Sequence, residues 1–272
     1  MKLQIVPASR GAQWVRQGFA VFFSRPLAFM GLFGLWLLGT LVAQLLPWIG
    51  FLLVWGTLPL VTLGFMLATQ QALQGRFPTL KVFVLPLQGP PQQKRALWQL
   101  GAIYAAAMLV VALVYVLIDG GRFQTAMQAA MASGKASPES LEALFADDRV
   151  QLSLLWITAA ISLLSVPFWH APALVYWGEQ PAAKALFFST VACWRNKGAF
   201  AVYVLTGAGA LTALAFAAAL LMLLLGQPGL AVLVIPPLGF AFYAVFYASL
   251  FFTFVDCFEM PSAAPTLEEP TP

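Results

Sequence analysis

The stretch QLSLLWITAAISLLSVPFWHAPALVYW, residues 151–177, contains no Asp, Glu, Lys or Arg. About 20 helical residues are enough to cross the hydrocarbon core of a bilayer, so this stretch is long enough to span a membrane. Its apolar residues follow one another continuously and do not alternate with polar residues, which argues against a strand of a membrane barrel. The stretch therefore predicts a transmembrane helix.

Five further segments are similarly long and apolar, with Asp256 in the last of them as their one charged residue, and together the six predict an all-α integral membrane protein. The predicted spans lie near 26–46, 49–73, 96–118, 151–177, 199–225 and 230–258. Composition agrees, because only 9% of the 272 residues are charged, against about 25% in an ordinary soluble domain. Residues 1–259 are interpreted as one polytopic membrane domain, and the Pro- and Glu-rich residues 260–272 as a disordered tail.

Basic residues are distributed unevenly between the two sides of this six-span topology. Eleven of the 14 Lys and Arg residues fall on the side that holds both termini, and the opposite side holds the rest. Because Lys and Arg accumulate in cytoplasmic loops, both termini are predicted to be cytoplasmic. The same bias accounts for the net charge of +4, so we expect no nucleic-acid partner.

The loop 119–150 is predicted to lie on the opposite side and to form two short amphipathic helices, the second beginning after Ser137. This loop is interpreted either as a lid or as a packed connector.

Two amphipathic stretches precede the first and fifth spans and are predicted to be interfacial helices that lie along the membrane plane. They cover residues 10–24 and 182–196. Their apolar stripes are Val15, Phe19 and Phe22 in the first, and Leu186, Phe187, Val191 and Trp194 in the second. Lipid headgroup contact is predicted for Trp194, Arg195 and Lys197, with simple positive-inside anchoring as the alternative. The repeated order of interfacial helix, span and span leaves an internal duplication open.

The only histidine of the chain, His170, lies between Pro167 and Pro172 inside the fourth predicted span. Proline removes a backbone donor and crowds the preceding turn, so a bend between Ser165 and Ala173 is predicted. His170 is expected to point into the bundle and to be neutral, because a charge at such a depth costs about 2.5–3.5 kcal/mol. Two interpretations remain: a structural histidine that donates its ring N–H to a freed carbonyl, or a proton-linked or ligand-binding residue.

Other polar residues lie at similar depth. Asp256 is near the inner end of the sixth span, where it either snorkels to the interface or pairs with Arg195, Lys197 or His170. Gln70 belongs to a polar cluster at the inner end of the second span, which either lines a cavity or holds helices together. The candidate intramembrane polar site is His170, Asp256, Gln70 and Trp169.

Catalytic and metal-binding patterns are not found in the sequence. The chain has no P-loop, no GxSxG and no HExxH motif, which disfavours an enzyme. Its two cysteines form no CxxC pair and only one histidine is present, so neither a metal nor a cofactor is expected.

Four stretches resemble a family of uncharacterised multi-pass bacterial inner-membrane proteins. They are QALQGRFPT (71–79), SVPFWHAPALV (165–175), ACWRNKGAF (192–200) and FYASLFFTFVDCFE (246–259). The resemblance runs from the first span to Glu259 and implies a location in the bacterial inner (plasma) membrane, without implying any catalytic residue. We interpret the chain as a non-catalytic scaffold, assembly or accessory protein, with membrane lipids and other membrane proteins as partners. The alternative is a small transporter or lipid-handling permease with a site around His170.

Overall fold

The fold is a bundle of helices, seen in a computed structural model that describes residues 2–133, 144–226 and 231–259. In chain order the helices are α1 Arg10–Ser24, α2 Pro26–Ala43, α3 Pro47–Leu73, α4 Lys81–Val84, α5 Pro91–Asp119, α6 Arg122–Ser133, α7 Asp148–Phe168, α8 Ala171–Tyr176, α9 Ala182–Arg195, α10 Lys197–Leu225 and α11 Ala231–Cys257.

Six helical segments are long and apolar enough to cross a membrane, which confirms the predicted all-α membrane architecture. They are Pro26–Ala43, Pro47–Leu73, Pro91–Asp119, Asp148–Tyr176, Lys197–Leu225 and Leu233–Cys257. The largest shift from the predicted bounds is in the third span, which begins at Pro91 instead of near 96. Proline suits the first position of a helix because its missing N–H would have no partner there, and α2, α3 and α5 all begin this way.

The fourth span is interrupted where the sequence predicts a bend. Helix α7 ends at Phe168, helix α8 begins at Ala171, and Trp169 and His170 lie between them. The loop that follows the third span contains α6, the first of its two predicted helices. The second predicted helix begins outside the described residues, and so does the predicted tail 260–272.

Helix α1 packs in the groove between α10 and α11. A Cβ atom added at Gly11 would lie 2.1 Å from the backbone oxygen of Ala199, and one at Gly18 would lie 2.7 Å from the Cβ of Ser249. Only glycine permits such close approach, so these two positions fix how deeply α1 sits. The predicted apolar stripe of α1 faces the bundle, while the orientation of the helix along the membrane plane stays a prediction.

Helix α9 packs on the fourth span through a face of small residues. These are Ala182, Ala185, Ser189, Ala192 and Cys193, all of which are buried. Its large apolar side chains Phe187 and Trp194 are exposed instead. Two residues of the predicted apolar stripe therefore face away from the protein, as expected for a helix in contact with lipid, whereas Leu186 packs against the core.

The two ends of the membrane domain meet at one end of the bundle. Leu3 and Phe258 form an antiparallel β-bridge, and the backbone N–H of Gln4 donates to the Cys257 carbonyl at 2.8 Å. The termini therefore lie on the same side, as an even number of spans requires. The assignment of that side to the cytoplasm stays a prediction.

Candidate functional site

Three hydroxyl or carboxylate side chains on one face of α11 accept hydrogen bonds from three other parts of the chain. They are Ser249, Thr253 and Asp256, whose spacing of four and three residues places them one turn apart on the helix. Tyr203 of α10 shares a 2.6 Å hydrogen bond with Ser249. The Ser249 hydroxyl also donates to the Phe246 carbonyl at 2.6 Å, which leaves the Tyr203 O–H as the donor of the first bond.

Thr253 brings together the two residues that interrupt the fourth span. Its oxygen lies 3.2 Å from Nε1 of Trp169 and 3.1 Å from Nε2 of His170. The Thr253 hydroxyl donates its own hydrogen to the Leu250 carbonyl at 2.8 Å. Since that hydrogen is used, both rings must donate to the Thr253 oxygen, and His170 carries its proton on Nε2.

His170 is fully buried among aromatic rings. The ring centroids of Phe200, Phe254 and Phe258 lie 5.5–5.9 Å from that of the histidine. Its Nδ1 has no hydrogen-bond partner among the described residues. With Nε2 donating and no acidic side chain among the described residues in contact, a neutral imidazole fits this enclosure better than a charged one. The side chain points into the bundle, as the sequence predicts.

Ser189 of α9 bridges the interruption in the fourth span by two hydrogen bonds. The backbone N–H of His170 donates to its hydroxyl at 3.0 Å, and the hydroxyl donates to the Val166 carbonyl at 2.9 Å. In a continuous α-helix this N–H and this carbonyl would bond to each other directly. The serine is therefore inserted into the helical ladder, which is a recognised cause of helix kinks. The expectation that the histidine ring donates to a freed carbonyl is wrong, because its donor faces Thr253.

Asp256 is held by α1. Its Oδ2 accepts from Nε of Arg10 at 2.7 Å and from Nε1 of Trp14 at 2.6 Å. These contacts exist because α1 lies in the groove beside α11, a placement that the sequence alone does not reveal. The sequence leaves two alternatives for this carboxylate, snorkelling or pairing with Arg195, Lys197 or His170, and the three partners named in the second are wrong.

The polar cluster of α3 contacts α11 through Thr69, which precedes the predicted residue Gln70. Thr69 is fully buried, and its hydroxyl lies 3.2 Å from the Ala248 carbonyl of α11. Gln70 is only half-buried and makes no side-chain hydrogen bond in the described part of the chain. The structure therefore brings His170 and Trp169 onto Thr253, places Asp256 one turn below, and leaves Gln70 outside this set.

The predicted headgroup motif WRNK has a second role, which its asparagine performs. Asn196 is buried, and its Oδ1 accepts from the Val6 N–H at 2.8 Å while its Nδ2 donates to the Gln4 carbonyl at 3.0 Å. Its neighbour Trp194 is 73% exposed. The ammonium of Lys197 lies 5.4 Å from the Trp194 ring centroid, within cation–π range. Headgroup contact through Trp194, Arg195 and Lys197 stays a prediction.

The chemistry available at this site is hydrogen bonding and packing. The thiol of Cys193 contacts the Val166 carbonyl, and burial raises its pKa to about 12, which removes the thiolate needed for nucleophilic attack. Among the described residues no three His, Cys, Asp or Glu side chains converge as metal ligands. Sequence reasoning missed Ser189, Thr253, Trp14 and Asn196, which are common residue types in apolar or amphipathic helices and carry no motif.

Comparison with known proteins identifies a relative along nearly the whole chain. A protein of Burkholderia thailandensis named as a probable inner membrane protein is 35% identical over 260 residues, which cover 95% of this chain and 94% of the relative. No protein-family model matches the chain, and no solved structure matches it.

Proposed function

Because the chain belongs to the same family of multi-pass bacterial inner-membrane proteins as this Burkholderia relative, we propose that it is a non-catalytic scaffold, assembly or accessory protein. The observation that carries the proposal is the enclosure of His170. Its ring donates to Thr253, its backbone donates to Ser189, and aromatic rings surround it. A residue used in this way joins three helices and is not presented to a substrate.

Two spans offer faces on which other membrane proteins would dock. The most apolar stretch of α10 is only 11% buried and that of α2 only 22%, while the fourth span, at 17%, is open as well. Glycines on these helices have open space around them in the described part of the chain: Gly31 and Gly34 on α2, Gly207 and Gly209 on α10. Glycines let helices approach closely in membranes, so these faces suit contact with a partner helix. Lipids cover the same faces when no partner is bound.

Affinity purification from membranes in mild detergent tests the proposal. We expect a membrane-protein partner to co-purify with the native chain and to be lost on Gly209→Leu, which fills the open face of α10. A Val204→Phe variant is the matched control, because Val204 is exposed on the same helix but, five residues before Gly209, lies on a different face. Retention of every partner by Gly209→Leu, or recovery of the chain without any partner, would contradict the scaffold role.

The alternative function is a small transporter or lipid-handling permease with its site around His170. One observation favours it: Nδ1 of His170 is a buried acceptor that lacks a partner among the described residues, and intramembrane ionisable residues often mark transport paths. This alternative requires the enclosure to open. A His170→Gln variant that folds normally but loses uptake or efflux of a labelled lipid or solute would support it over the scaffold role.

A further inference from the structure

A pocket whose lining includes charged and amide side chains opens between the start of α5 and the turn that joins α8 to α9. Its volume is about 460 Å³. One wall carries Arg95 and Gln92, and the other carries Glu179 and Gln180. Both walls belong to the end of the bundle that holds the termini, since they follow the second and fourth spans. The hydrogen bonds around His170 do not involve this pocket.

Opposite charges face the pocket from its two walls. Arg95 and Glu179 both line it and both are exposed, yet within the described residues they form no ion pair with each other. The space between them therefore separates a cationic from an anionic wall. A ligand that carries one charge of each sign fits this arrangement better than a simple anion or a simple cation.

The walls are held in place by hydrogen bonds. Nε2 of Gln93 donates to the Tyr176 carbonyl at 2.8 Å, which ties α5 to the end of α8. Glu179 has φ of 51°, a left-handed conformation that favours glycine, and it lines the pocket. A glycine would fit this backbone with less strain than a glutamate.

We propose that the pocket binds a zwitterionic aminoalkyl phosphate group. The phosphate would contact Arg95 and the free backbone N–H groups of the first turn of α5, and the ammonium would contact Glu179. This group occurs in two kinds of ligand: the headgroup of phosphatidylethanolamine, and a soluble phosphoethanolamine compound. The pocket also reaches Gln99, one residue beyond the exposed Trp98, and such a tryptophan is typical of the membrane interface.

Binding to the purified full-length protein tests this proposal. The probes are short-chain phosphatidylethanolamine, short-chain phosphatidylglycerol and soluble glycerophosphoethanolamine, and binding is measured by calorimetry in detergent. We expect phosphatidylethanolamine to bind more tightly than phosphatidylglycerol. Equal binding of glycerophosphoethanolamine would identify a soluble ligand, and much weaker binding would identify the lipid. Failure of both ethanolamine probes to bind, or tighter binding of phosphatidylglycerol, overturns the proposal.

Variants distinguish the effect of the Glu179 charge on binding from the effect of its strained backbone on stability. Arg95→Gln and Glu179→Gln should each weaken binding about tenfold, or about 1.4 kcal/mol. Glu179→Gly should weaken binding equally while raising the unfolding temperature, because it relieves the strain. Lys94→Gln is the matched control, since Lys94 precedes Arg95 but does not line the pocket. Unchanged affinity in both Glu179 variants, or an equal loss in Lys94→Gln, contradicts the proposal. Either outcome leaves the scaffold role unaffected.

Discussion

Replacing Thr253 by Val removes one hydroxyl and keeps the shape of the side chain nearly unchanged. The change leaves Nε1 of Trp169 and Nε2 of His170 without their acceptor, in a region where His170 is fully buried. A buried donor without a partner costs about 1–3 kcal/mol in soluble proteins. Hydrogen bonds between membrane helices average about 0.6 kcal/mol. Taking about 1 kcal/mol for each of the two donors, we expect Thr253→Val to lower the free energy of unfolding by about 2 kcal/mol.

The assay is reversible unfolding in mixed micelles as the fraction of denaturing detergent is raised. Thr57→Val is the matched control, because the Thr57 hydroxyl donates only within its own helix, to the Leu53 carbonyl at 2.7 Å and the Val54 carbonyl at 3.2 Å. We expect the control to change stability by less than about 0.5 kcal/mol. Equal losses in the two variants would refute the view that Thr253 holds the interrupted span.

Three further predictions concern the histidine, the topology and the thiols. His170→Gln should retain expression and nearly all thermal stability, since an amide can still donate to Thr253, whereas His170→Leu should lower the unfolding temperature measured in detergent. An impermeant thiol reagent applied to intact cells should label Ser133→Cys but not Gln88→Cys, and the reverse pattern would overturn the cytoplasmic placement of the termini. Because Cys193 is buried and burial raises its pKa to about 12, maleimide should not modify it at pH 8 until the protein unfolds; mass spectrometry checks this.

The spans were predictable from the sequence because crossing a bilayer requires length and apolar composition, both of which are local properties. Pro167 and Pro172 likewise predict the interruption of the fourth span, since proline lacks a donor wherever it occurs. How that interruption is stabilised depends on Ser189, which comes from a different helix. Nothing in the sequence around Ser189 distinguishes it from any other serine in an amphipathic helix.

The partner of Asp256 was not predictable for a related reason. The predicted topology places Arg195, Lys197 and His170 toward the inner ends of the spans, where Asp256 also lies, so they were the candidate partners. The partner in the structure, Arg10, lies near the opposite end of the chain from Asp256. Only the close approach of α1 through Gly11 and Gly18 brings it near, and a glycine in an amphipathic stretch does not by itself indicate a close helix contact. Long-range contacts of this kind follow from packing of the whole bundle and not from any one segment.

The position of α1 has a consequence for how the protein is made. Its groove is built from α10 and α11, and the backbone partners of residues 2–4 are Cys257 and Glu259. The ribosome therefore has to finish the last span before the first helix can dock. Until then α1 needs a temporary location, and an amphipathic helix has one at the surface of the membrane. Trp14 would leave that surface only when Asp256 arrives, so a helix synthesised before all six spans is among the last to reach its final place.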